Sequence, residues 1–289
     1  MKDSIHPNTV LGKVHLKVSN LARSIQFYKE VVGLQVLDQT VDSARFTVDG
    51  QKVLLVIQEV TGAIVPRRSS AGLYHFAILV PNRKALGLSL KNLIHSGIHI
   101  GQADHLVSEA LYIADPDNNG IEIYRDRPRE SWKRDAQGNY KMATDPIDWD
   151  GLLAEAGDEP WTGLPPGTII GHIHLHVSDL QQSKAFYIDI LGFTIELDGA
   201  ANMGALFIAA GGYHHHIGLN IWAGVGAPLA PAESTGLAYF TVVVPDSTEL
   251  QAVLERVERA GIAVTKLDGA WALKDPTGIE IRLVINNQK

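Results

Sequence analysis

"GHIHLHVSDLQQSKAFYIDILGF" (171–193) sets three histidines at alternate positions and then passes into a stretch with apolar residues at helical spacing. An earlier segment, "GKVHLKVSNLARSIQFYKEVVGL" (12–34), aligns with it without a gap, and ten of the 23 positions are identical. Two more pairs follow in the same order: "GLYHFAILVPN" (72–82) with "GLAYFTVVVPD" (236–246), and "DPDNNGIEIY" (115–124) with "DPTGIEIRL" (275–283). Three matched segments in one order identify a duplicated domain.

Each half divides again. Alternation over 12–18 predicts a strand, and "SNLARSIQFYKEVVG" predicts a helix with Ser19 at its start and Gly33 at its stop. Strands are expected at 44–48, 52–58 and 73–80, a helix at 82–96 ending before Gly97, and strands near 110–114 and 120–125. The unit is βαβββ, used four times. The expected fold class is α+β: two tandem domains, each of two βαβββ modules forming a curved, incompletely closed eight-stranded cup with helices outside. The boundaries are 1–126, a linker 127–168 rich in Pro, Gly and charge with a short helix at 148–156, and 169–289.

Composition narrows the function. The chain has 289 residues, a net charge of −7 and no cysteine. An acidic balance gives no electrostatic footprint for nucleic acid or an anionic membrane. Without cysteine there are no disulfides, thiolate metal sites or Cys nucleophile. No signal-peptide core and no membrane-length apolar run is present, so a cytoplasmic protein is expected.

Alternation assigns the histidines to faces. Ile173, Leu175 and Val177 share one side of their strand and His172, His174 and His176 the other. In the first half Lys13, His15 and Lys17 take the polar face. Further candidate ligands are His214, His215 and His216 in "GGYHHHIGLNIW" (211–222), and Glu280, a carboxylate between two isoleucines. Two neutral imidazoles and one carboxylate suit non-haem Fe(II) and leave positions for substrate and O2, while Zn²⁺ or Mn²⁺ accepts the same atoms. A strand histidine alone is more often structural. The joint occurrence at matched places in a duplicated fold favours a metal site.

With these motifs the chain resembles the vicinal oxygen chelate superfamily of glyoxalase I, fosfomycin- and bleomycin-resistance proteins and type I extradiol dioxygenases. Its four modules and "PIDWDGLL" (146–153) look most like bacterial catechol-2,3-dioxygenase-type proteins. The resemblance implies extradiol cleavage of a catechol by Fe(II) and O2. The first metal ligand falls on His172 and the last on Glu280; the ligand that usually opens the fourth module falls on Tyr239, and His75 holds that place in the first half. The missing imidazole is then best supplied by His216, with His214 next. His214 is expected as general acid/base and Tyr239 as a hydrogen-bond donor, with His174 and Trp222 against the substrate. Lys13 is expected to pair with Glu122 and leave the first-half cup metal-free. A small aromatic diol and O2 are the expected partners, and a homo-oligomer is expected. The alternatives are another metal-dependent member, such as a lyase, isomerase or thiol transferase, and a metal-free binding or resistance protein.

Overall fold

The computed structural model describes residues 4–66 and 69–286. Four modules follow one another. The first contains β1 (Val10–Val18), α1 (Leu21–Phe27), β2 (Gln35–Gln39), β3 (Ser43–Thr47) and β4 (Leu55–Glu59). The second contains β5 (Gly72–Leu79), α2 (Arg83–Ser96), β6 (Gly101–Asp104), β7 (Ser108–Ala114) and β8 (Gly120–Asp126). After α3 (Trp149–Ala156), the third contains β9 (Ile169–His176), α4 (Leu180–Lys184), β10 (Thr194–Gly199), β11 (Ala205–Ala209) and β12 (Ile217–Asn220). The fourth contains β13 (Gly236–Val244), α5 (Ser247–Arg259), β14 (Thr265–Leu267), β15 (Ala270–Lys274) and β16 (Glu280–Ile285).

Local chemistry explains the helix ends. The module helices begin at Asn20, Asn82, Asp179 and Asp246, and each side chain accepts a backbone N–H three residues on. Asn20, rather than the expected Ser19, therefore caps α1; Ser19 instead donates its backbone N–H to Asp117 at 2.9 Å. Both α1 and α4 widen into a π turn before glycines with positive φ, Gly33 (90°) and Gly192 (93°).

The sheets join modules in an unexpected pairing. One eight-stranded sheet has the order β14-β15-β16-β13-β1-β4-β3-β2, and the other β10-β11-β12-β9-β5-β8-β7-β6. The first module thus shares a sheet with the fourth, and the second with the third. Each sheet therefore draws strands from both halves of the chain. The seams are the antiparallel pairs β1–β13 and β5–β9. Strands approach closely at these seams. A Cβ on Gly171 would lie 1.9 Å from the Tyr124 hydroxyl, and one on Gly12 would lie 2.4 Å from Thr241 Oγ1. Glycine at both repeat-equivalent positions is thereby explained.

Sequence neighbours are still tied together, but across the sheets. The Tyr28 hydroxyl donates to Asp115 Oδ2 at 2.8 Å, and the Tyr187 hydroxyl to Asp275 Oδ2 at 3.1 Å. Each Asp also accepts backbone N–H groups of its own turn. The linker is an ordered part of the fold: Arg83 of α2 holds Glu109, Asp148 and Glu155 at 3.0, 2.8 and 2.8 Å. The apolar face of β9, Ile173, Leu175 and Val177, is fully buried in one core with Leu180, Phe186 and Tyr187 of the following helical segment. Its polar face is left to the concave side.

Candidate metal centre

His172 on β9, His75 on β5 and Glu122 on β8 meet on the concave side of the second sheet. Glu122 Oε2 lies 3.0 Å from His172 Nε2 and 3.0 Å from His75 Nε2. One ligand atom from each residue lies within 4.8 Å of the others, and all three residues are buried. The His75 contact does not have hydrogen-bond geometry, so His75 Nε2 is a buried nitrogen without a donor or acceptor partner. Such an atom is costly unless an electrophile takes its lone pair. Charge state agrees. Burial pushes His172 down to about 4. Burial opposes ionisation of Glu122, yet the adjacent His172 and His75 outweigh it and hold the carboxyl well below its usual range. Near neutral pH His172 is a neutral imidazole and Glu122 a carboxylate, and the two-His, one-carboxylate set fits a divalent transition metal.

Of the expected set His172, His216 and Glu280, the structure brings neither His216 nor Glu280 to this cluster. His216 is buried in the turn before β12, where its Nδ1 accepts the Ala210 N–H at 3.2 Å, and its ring packs on Tyr213. Glu280 lies in the other sheet, bound to Arg282 at 2.8 Å. Tyr239 is there too, under the Arg282 guanidinium at 3.5 Å. Glu122, expected to pair with Lys13 in a metal-free first-half cup, instead faces His75 and His172. His75 and Glu122 are two of the three clustered groups, and Lys13 lies on β1 in the opposite sheet.

The register shows why Glu280 misled. The two "GIEI" strings match as text, but Asp115 N bonds Asn119 O and Asp275 N bonds Ile279 O. The turns therefore superpose on their Asp-Pro. Tyr112 pairs with Glu122 and Ala272 with Arg282, whereas Lys274 pairs with Glu280 as Ala114 does with Gly120. Arg282, not Glu280, stands where Glu122 stands. His15 pairs with Tyr239 as His174 does with His75, which sets Lys13 at the place of His172.

A cavity of about 950 Å³ opens beside the cluster, lined in part by Tyr74, Tyr112, His174, Phe207, His215 and Trp222. His174 and Trp222, expected against a substrate, both line it. His174 lies between His75 (5.1 Å) and Trp222 (5.3 Å), ring to ring. Of the triple-His run, His215 lines the cavity, 4.2 Å from the His172 ring. His214 is behind it: its Nε2 lies 2.8 Å from Asp126 Oδ1 and its Nδ1 2.8 Å from His215 Nδ1. A carboxylate only accepts, so His214 donates from Nε2, and with its proton there its Nδ1 accepts from His215 Nδ1–H. His215 Nε2 is then unprotonated, and burial together with neighbouring imidazoles pushes that ring's pKa well down. Across the cavity, the carbonyl of Ala143 fixes the proton on His105 Nδ1 (2.7 Å), so His105 Nε2 accepts from the Tyr112 hydroxyl at 2.6 Å.

Comparison with known proteins agrees with this architecture. The profile of the Glyoxalase/Bleomycin resistance protein/Dioxygenase superfamily matches residues 10–123 and 169–283. The chain belongs to this superfamily. Its relatives include a Bacillus subtilis (strain 168) protein named catechol-2,3-dioxygenase, 55% identical over 98% of this chain and 99% of the relative. Among solved structures, one from Bacillus subtilis subsp. subtilis str. 168 aligns with TM-score 0.69 at 12% identity, covering 99% of this chain and 87% of that one. A glyoxalase I mutant from Zea mays aligns with TM-score 0.58 at 16% identity, covering 96% of this chain and 94% of that one. These solved structures share the fold. Within it, this chain builds its candidate centre from the second and third modules.

Sequence reasoning placed His75 and Glu122 in a cup expected to be metal-free, left His215 among the three candidates of its run, and did not single out His105 or Tyr112. His75 and Glu122 carried a signal, since both stand in the repeated motifs that exposed the duplication. Tyr112 and His105 carried none, because a Tyr on a strand and a His in a turn have no pattern of their own.

Proposed function

We propose that this protein is an extradiol ring-cleaving dioxygenase that opens a catecholic ring with O2, using Fe(II) held by His75, Glu122 and His172. The convergence of two imidazoles and one carboxylate at one end of an aromatic-lined cavity carries the reading. The 55% identical relative named catechol-2,3-dioxygenase supports it. Bound there, Fe(II) would acidify the diol and bring the diol and O2 together.

The chain's own groups supply the rest. His215 Nε2 is the free base on the cavity wall and takes a proton from a catechol hydroxyl; His214 and Asp126 hold it in that tautomer. The proton remains at His215 Nε2 until an oxygen of the opening ring needs it. Tyr112, its own proton committed to His105, presents lone pairs that accept a hydrogen bond from the second hydroxyl. Tyr74 and Trp222, edge to face at 5.4 Å, wall the cavity on the side of His174 and limit the ring substituents it admits.

The test is catechol turnover by protein purified without oxygen and then supplied with Fe(II). A yellow ring-opened product and consumption of O2 are expected on exposure to air. Protein that binds iron yet leaves a series of catechols unchanged would overturn the reading.

A further inference from the structure

The duplicated fold builds a second concave face, and its charge is inverted. Where the second sheet has His172, His75 and Glu122, the first has Lys13, Tyr239 and Arg282. Two cations at ligand positions repel a metal ion. They are only partly neutralised by the protein. Arg282 uses only its Nε on Glu280, and Arg45 is held by Asp38 at 2.7 Å. The Lys13 ammonium has no anionic partner among the described residues, and burial, Arg282 and Arg45 all push its pKa down. His15 beside it has both ring nitrogens buried without partners. Lys13 and Arg282 against Glu280 leave one positive charge in excess, in a chain whose net charge is −7.

We propose that this face binds a small planar organic carboxylate. The outer nitrogens of Arg282 offer the fork that matches a carboxylate. Lys13 supplies the second charge, and a neutral His15 supplies an N–H donor. The Arg282–Tyr239 stack at 3.5 Å and the His15 ring, 4.8 Å from Tyr239 and tilted 59° to it, offer aromatic surface for a conjugated or aromatic ligand. Bound anion relieves the repulsion among Lys13, Arg282 and Arg45. The face carries none of the three clustered metal ligands, so its occupancy is independent of turnover.

The test is calorimetric titration of the metal-loaded full chain with benzoate, its neutral counterpart benzamide, and inorganic phosphate. Benzoate is expected to bind and benzamide not; phosphate binding more tightly than benzoate would overturn the choice of a carboxylate. K13M and R282M should each weaken benzoate about tenfold or more, the loss expected for one charge-assisted contact. H75A should leave benzoate binding unchanged, and loss in H75A would place the anion at the metal centre instead. K13M also removes a like charge, so without ligand its melting temperature should rise. Benzoate binding unaffected by both K13M and R282M, or no binding at millimolar concentration, would sink the proposal.

Discussion

Lys13 and His172 occupy one position in two copies of the same strand, and together with Arg282 at the place of Glu122 that difference separates a face that repels cations from one that can bind them. Ligand variants should follow the geometry. H75A, E122A and H172A are each expected to lower iron stoichiometry after desalting to near zero, whereas E280Q should retain the wild-type content; metal analysis of the four proteins checks this. Acid should act through buried imidazoles. Burial depresses His216 to about 3 and His15 and His172 to about 4, against an unfolded value near 6.5. The unfolded chain then binds more protons between pH 6.5 and those values. Stability is therefore complete above about pH 6.5 and falls as pH drops toward 4. Metal-free H216N, whose amide oxygen can still accept the Ala210 N–H, should show a shallower fall of melting temperature over that window, by about one proton's worth of slope.

At the scale of elements, the repeated "FY" and "DP" motifs form a tie. Tyr28 and Tyr187 stand in the π turns, and their hydroxyls cross to Asp115 and Asp275. Through this bond a helical segment of one sheet grips a turn of the other, so modules adjacent in sequence stay adjacent in space although they pair in different sheets. Y28F leaves Asp115 Oδ2 with only the Asn119 side chain as donor. Such a loss inside the protein costs about 1–3 kcal/mol, and chemical denaturation should show a lower midpoint with an unchanged slope. An unaltered midpoint would mean that the tie is redundant. The motifs were legible in the sequence as repeats. Their partnership was not, because nothing in a string says that Tyr28 reaches Asp115 rather than Asp275.

For the whole molecule, the sheet order makes the two halves interdependent. Residues 1–145 contain His75 and Glu122 but lack His172, and 146–289 have the reverse lack. Even a dimer of the first half would set Lys13 where His172 belongs. Neither half expressed alone is therefore expected to retain iron, while co-expressed halves should recover it together; metal analysis of each half and of the pair is the measurement. Among the described residues no helix is long and apolar enough to cross a membrane.

Hydrophobic alternation and the internal repeats were enough for the βαβββ unit, its fourfold use and the polar face of β9, because these follow from strand period and local capping. Pairing among modules was beyond them. Antiparallel seams β1–β13 and β5–β9 join segments far apart in the chain, and each module presents the same edge to any partner. The carboxylate was lost for a related reason: sliding a strand by two residues keeps every side chain on its face, so alternation cannot distinguish Glu280 from Arg282 as the counterpart of Glu122. Hydrogen bonds of the folded turns make that choice, and with it they decide which face collects a carboxylate and which collects cations.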